Sequence, residues 1–293
     1  MSTLQLFAAC VAIWGSTWLA ITFQLGRVAP EASVFYRFLL ASLLLFAFCR
    51  ARRLPLAFRP GQHGWIAVQG VLMYSPGYIC VYYAEQNVVS GLVAVGFSAS
   101  PLLSMLGMRL FFRTPMTGAM IAGSILGIAG ITLVFWPEFV LLQGDHRTAV
   151  GAAFTIAAVV ISSLGSLAAH RNHEAHMPLW QGMAWGMLYA SLFSLAITLA
   201  TGKSLAFEVS APYVLSLVYL AVLGSIVAFA GYLTLIKRIG AARAGYIGVM
   251  VPIVALLISA AFEGFRWHAL TGVGIAVSVL GNVIVLRRRS APS

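Results

Sequence analysis

The chain has 293 residues, of which 61% are hydrophobic and only 9% charged, with a mean hydropathy of +0.94. That balance excludes an ordinary soluble domain and points to an integral membrane protein. The net charge of +11 does not indicate a nucleic-acid partner, because the basic residues punctuate hydrophobic runs instead of covering one solvated face. Cys10, Cys49 and Cys80 fall in or beside apolar runs, with no spacing that suggests a disulfide framework or a metal site.

Apolar runs bounded by charge, proline and loop residues predict ten spans, at roughly 4–25, 31–49, 64–84, 88–110, 116–136, 149–168, 178–200, 212–235, 244–263 and 269–286. The fold class is therefore all-α and polytopic, with short connections. The first run has no basic residue before it and no small-residue cleavage site after it, so it reads as a retained span, not a signal peptide. With a cytoplasmic N-terminus, most of the 18 Lys and Arg, among them Arg50, Arg52, Arg53, Arg287, Arg288 and Arg289, lie on the inner side. The positive-inside rule thus predicts that both termini are cytoplasmic.

In span one, Trp14-Gly15-Ser16-Thr17-Trp18 places small and hydroxylic residues between two indoles at mid-membrane, where polar groups need a neighbour or a substrate. Ser163-Leu164-Gly165-Ser166 echoes it in span six. Arg37 lies well inside span two and has two readings. It either helps hold a substrate carboxylate or satisfies carbonyls freed at a broken helix, and the second carries more weight until a partner can be named.

Tyr74, Tyr78 and Tyr82 recur every fourth residue in span three, with Pro76 between the first two, and can either line a pathway or pack. Ser98 in span four and Tyr246 in span nine complete the polar pathway candidates. Pro76, Pro101 and Pro252 each remove a helical hydrogen bond and are expected to mark helix breaks. In span seven Trp185 can face lipid or cavity, beside the small-residue pair Gly182 and Gly186. Similar faces, Gly123 with Gly127 and Gly274 with Ser278, are expected to join helices. The group His170, His173, Glu174 and His176 reads as a solvated cytoplasmic connection and not a metal site. Glu31, Glu85 and Glu263 all fall at outer span ends, so no carboxylate marks the middle of a span. That pattern predicts transport down the substrate gradient, or only weakly coupled to protons.

An internal repeat is visible. Pro101, Gly123 and Gly130 recur as Pro252, Gly274 and Gly281 at an offset of 151, and Ser75 and Tyr82 recur as Ser225 and Tyr232 at 150. Since each repeat holds five spans, the second must enter the membrane from the opposite side, giving a 5+5 inverted repeat with halves at 1–140 and 141–293.

The Trp14 to Trp18 segment, Pro30 followed by Arg37 and Ala41, Pro101 and Pro252, in this order over ten spans, resemble the ten-helix EamA-type branch of the drug/metabolite transporter superfamily, and within it the aromatic amino acid exporters. The resemblance implies a secondary exporter of aromatic or hydrophobic amino acids and related metabolites, working by alternating access in the cytoplasmic membrane without a cofactor. Its partners would be a small-molecule substrate and the bilayer. Export of other metabolites or of drugs is the alternative. An intramembrane enzyme is disfavoured because converging acids, bases or metal ligands are lacking, and no Walker motif suggests an ATP-driven pump.

Overall fold

In a computed structural model the chain is described over residues 1–113, 115–141, 146–244 and 247–288. Within these residues it is all-helical. Seven of the ten spans are single helices, the first five of them α1 (Thr3–Thr22), α2 (Pro30–Ala51), α7 (Gly118–Leu141), α8 (His146–Glu174) and α9 (Leu179–Ala200). Span three is divided into α3 (Pro60–Tyr74) and α4 (Pro76–Glu85), and span four into α5 (Ser90–Gly96), a 3-10 turn at Phe97–Ala99 and α6 (Ser100–Phe112). Span eight runs as α10 (Ala211–Tyr219), a π-helical segment at Leu220–Val227 and α11 (Ala228–Ala244). The last two are α12 (Ile247–Phe262) and α13 (Ala269–Arg288). Seven stretches, including α5 to α6 and Ala211–Tyr232, have the length and hydropathy to cross a bilayer on those criteria alone.

Local sequence sets many of the ends. Ser2 and Gln5 form a reciprocal capping box at the start of α1, and Pro30 and Pro60 open α2 and α3, where a missing N–H costs nothing. After α9 and α12 the chain turns at Gly202 and Gly264, whose φ values of +65° and +71° lie where a Cβ is strained. The end of the bundle that carries these two turns also carries Glu31, Glu85 and Glu263, and is called the acidic end below.

Two helix pairs relate the repeats. α7 packs on α13 backbone to backbone: a Cβ on Gly130 would stand 2.4 Å from Ser278 N, and one on Gly281 2.4 Å from Gly123 O. Glycine at these positions is what allows such an approach. In the second pair, α2 packs on α9, with Ser42 Oγ donating to the Ala184 carbonyl at 2.8 Å. Gly186 does approach a neighbour, the backbone of Gly70 in α3, whereas Gly182 has open space around it. Between the pairs, α1 lies against α11 and α12, and α8 against α3, α4 and α6. The largest apolar cluster, with Phe38, Tyr74, Tyr82, Met187 and Leu220 at its centre, fills the space between α2, α4, α9 and the π segment.

α8 runs through His170 and His173 to Glu174, so these side chains sit on a helix end and not in a connection. The His170 ring lies against Phe112, and His176 turns out of the helix at φ +54°. Among the described residues no group of three or more His, Cys, Asp or Glu could hold a metal.

Candidate functional site at the helix breaks

Spans three, four and eight are interrupted, and each break has a local cause. Pro76 cannot donate to the Leu72 carbonyl, and α3 ends at Ser75, with φ −122° and ψ −89°. Pro101 likewise cannot donate to Phe97, and the chain tightens into the 3-10 turn, with the Ser100 N–H taking the Phe97 carbonyl instead. Span eight has no proline at its break. There Ser225 Oγ donates to the Leu220 carbonyl at 2.9 Å, and Trp14 Nε1 crosses from α1 to donate to the Gly224 carbonyl at 3.1 Å. Widened π turns of this kind recur at functional sites. Pro252, by contrast, does not break its helix: α12 continues through it, and the second repeat is interrupted in span eight instead.

Arg37 projects from α2 onto this region and is only 2% exposed. Its guanidinium carbon sits 4.6 Å from the Tyr78 ring centre and 5.1 Å from that of Phe38, and Nε donates to Ser225 Oγ at 3.3 Å. Nη1 has no hydrogen-bond partner. A buried guanidinium with an unused donor is a site short of an acceptor. The Tyr78 ring beside it is half-buried, as are two groups of α1: Trp18, packed on Phe97 at 5.1 Å, and Ser16, whose Oγ is 2.6 Å from Tyr219 Oη just before the π segment. Thr17 is less available, since its hydroxyl donates back to the Trp14 carbonyl and its methyl fills the space over Gly224.

The tyrosine series divides after Tyr78. Tyr74 and Tyr78 both contact Phe38, while Tyr82 is fully buried and donates to Gln24 Oε1 at 2.5 Å. Trp14 packs on Phe229 and Tyr232. Ser163 is buried in α8 with an unpartnered hydroxyl, and Ser166 donates to the Ser162 carbonyl. Ser98 lines a narrow space with Pro252, Ser278 and Asn282. Tyr246 lies outside the described residues.

Trp185 stands apart from this group. Its indole donates to the Leu56 carbonyl at 2.9 Å, and its ring meets Phe46, His63 and Tyr189, with Tyr189 Oη 2.8 Å from His63 Nδ1. It ties the α2–α3 connection to α9 at the end opposite the carboxylates.

At the acidic end, three carboxylates that sequence position alone would leave at the interface are buried or half-buried. Glu31 accepts from Tyr83 Oη at 2.7 Å and from Lys203 Nζ at 2.8 Å. Burial would lower the Lys203 ammonium, but hydrogen bonds to Glu31 and Tyr83 outweigh it and hold the group above its ordinary value. Glu263 of α12 accepts from Ser90 N at 3.1 Å, Ser90 Oγ at 2.5 Å and Ser259 Oγ, which closes α12 onto the start of α5. Glu85, 7% exposed, has no partner on either oxygen.

Comparison with known proteins fits this architecture. The model of the EamA-like transporter family matches residues 1–136 and 149–287. The chain is 30% identical over 291 residues to an Escherichia coli (strain K12) protein named as the uncharacterized inner membrane transporter YedA, covering 96% of this chain and 90% of that one. It is 23% identical to a probable amino-acid metabolite efflux pump of the same organism, over 96% and 94% of the two chains. One protein of known crystal structure shares the fold at a TM-score of 0.70 and 18% identity, covering 99% of each chain. A match over residues 1–136 and 149–287, joined to the all-helical polytopic architecture, makes this chain a polytopic membrane transporter belonging to the EamA-like transporter family.

Proposed function

We propose that the protein is a secondary exporter of amino acids with large apolar or aromatic side chains and of related small metabolites. The observation that carries the reading is Arg37: a buried guanidinium with a free Nη1, held over Tyr78 and beside half-buried aromatic groups. A carboxylate is the natural acceptor for that donor, in a bidentate or single charge-assisted bond, and aromatic surface around it suits an apolar side chain. Once an anionic partner is admitted, the substrate role of Arg37 outweighs the helix-bonding role, because Nη1 is left without a partner while Ser225 takes Nε. Ser16 and Tyr219 supply hydroxyls for the remaining polar groups of a substrate.

The family match in two segments supports halves at 1–140 and 141–293 that move against each other in alternating access, with substrate bound between them. The basic excess on one side supports cytoplasmic termini, and the name of the 30%-identical relative supports residence in an inner membrane. The relative named as an amino-acid metabolite efflux pump supports the substrate class.

The test is counterflow of labelled phenylalanine into proteoliposomes preloaded with phenylalanine, competed by a panel of amino acids and other metabolites. Saturable uptake, competed by aromatic and large apolar amino acids, is expected. No uptake across the amino-acid panel would refute the substrate class and direct the search to other metabolites or drugs.

A further inference from the structure

We propose that Glu85 binds and releases a proton during transport, in a charge balance shared with Arg37 and Glu263. The inference rests on the protein being a transporter, and not on which substrate it carries.

Glu85 is the last residue of α4, and burial removes both of its oxygens from water without giving either a donor. Two charged groups act on it electrostatically: Glu263 from α12 and Arg37 from α2. Neither forms an ion pair with it, since the ion pair found among the described residues is Lys203 with Glu31. The two carboxylates are unequally supported. Glu263 has three donors, from Ser90 N, Ser90 Oγ and Ser259 Oγ, which stabilise its negative charge locally. Glu85 has none, so of the pair it is the one whose negative charge no hydrogen-bond donor supports.

The remaining neighbours do not alter that inequality. α8 brings Arg147, which donates to the Gln86 carbonyl at 3.4 Å, and Glu31 and Lys203 are paired with each other around Tyr83. α1 and α5 contain no formally charged residue, and of the titratable side chains of α3, His63 lies at the opposite end against Tyr189 and Tyr74 packs on Phe38. Tyr82, one turn before Glu85, donates to Gln24 and also bonds the Arg37 side chain, so it is not a donor to Glu85.

With both carboxylates ionised, Arg37, Glu85 and Glu263 together carry one excess negative charge. A proton from water added to one Glu85 oxygen makes the set neutral. A substrate carboxylate arriving at Arg37 brings the set to one negative charge when that proton is in place and to two when it is not, and departure of the substrate allows the proton to leave to water. Binding of an anionic group and of a proton are therefore linked, each favouring the other at the same site. This coupling replaces the weak coupling that the span-end positions of the acidic residues suggest.

The experiment uses the full-length protein in lipid without substrate. Infrared difference spectra across pH are expected to show the C=O stretch of a protonated carboxyl that titrates in the wild type and is lost in Glu85→Gln. On the wild type alone, labelling by the apolar carboxyl reagent dicyclohexylcarbodiimide, mapped by mass spectrometry, is expected at Glu85 and to slow as pH rises. A band unchanged in Glu85→Gln, or labelling at Glu85 that is absent or indifferent to pH, would overturn the proposal. Phenylalanine counterflow and phenylalanine-linked proton movement are then measured on the same vesicles. A titrating Glu85 without counterflow removes the substrate and leaves the proton site standing. Counterflow with a silent Glu85 removes the proton site and leaves the substrate standing.

Discussion

Arg37→Met separates a guanidinium kept for binding from one kept for structure. The wild-type side chain is 2% exposed, bonds Ser225 at a rather long 3.3 Å, and faces two rings at 4.6 and 5.1 Å. Those contacts favour arginine by about 0.5–2 kcal/mol per ring, but taking the charge out of water costs several kcal/mol. Replacing a buried charge by an apolar side chain of similar length is often neutral or stabilising by ~1–4 kcal/mol. The expected result is thus a melting temperature in detergent equal to or above that of the wild type. A substrate carboxylate, in contrast, loses a charge-assisted bond of about 1.5–3 kcal/mol, which corresponds to roughly a 10- to 150-fold rise in the half-saturating phenylalanine concentration. Thermal unfolding followed by intrinsic fluorescence, together with counterflow over a range of phenylalanine concentrations, reads both quantities. A clear loss of stability with unchanged half-saturation would refute the binding role and return Arg37 to the scaffold.

Gly130→Ala is expected to lower stability by about 1–3 kcal/mol, since its Cβ would lie 2.4 Å from Ser278 N. Gly127→Ala, with nothing within 4 Å of its Cβ, should be neutral or better, so equal losses in thermal unfolding would count against the close α7–α13 approach. Lys203 is held above its ordinary value, so the stability its contacts add is present below the unfolded lysine value and lost as pH rises through the folded one. Alkaline thermal unfolding should therefore drop more steeply for the wild type than for Lys203→Met, and parallel curves would contradict this. Removing the acceptor in Glu263→Ala leaves Ser90 and Ser259 donors unpaired and should loosen α5 from α12. Maleimide labelling of Val93→Cys, in a chain with Cys10, Cys49 and Cys80 replaced by serine, is expected to rise; unchanged labelling would show that the carboxylate does not hold that contact.

The ten spans were legible because each is an apolar run of membrane length, and the repeat because Ser75 and Ser225, or Gly130 and Gly281, keep a constant register. The glycine faces were legible for the same reason that they work: small residues at helical spacing admit a neighbouring backbone. Other features have no local signature. The π segment at Leu220–Val227 contains no proline, and its freed carbonyl is answered by Trp14, more than two hundred residues away. Trp185 is settled by the Leu56 carbonyl of a distant connection, which hydropathy cannot report. Glu85 stands at the end of an apolar run, where position suggests a wet interface. Its burial comes from how α4 packs among α1, α2, α5 and α8.

The duplicated frame carries a polar contact at each of two matched serines, Ser225 with Arg37 and Ser75 with Ser194, the first joining spans two and eight and the second spans seven and three. The chemistry on the two sides is unequal. At the repeat offset of 150 the counterpart of Arg37 is Met187, a fully buried thioether that can neither attract nor orient an anion. A fold with twofold architecture has in this way become single-valued in charge. Titration with a carboxylate ligand should accordingly saturate at one molecule per chain.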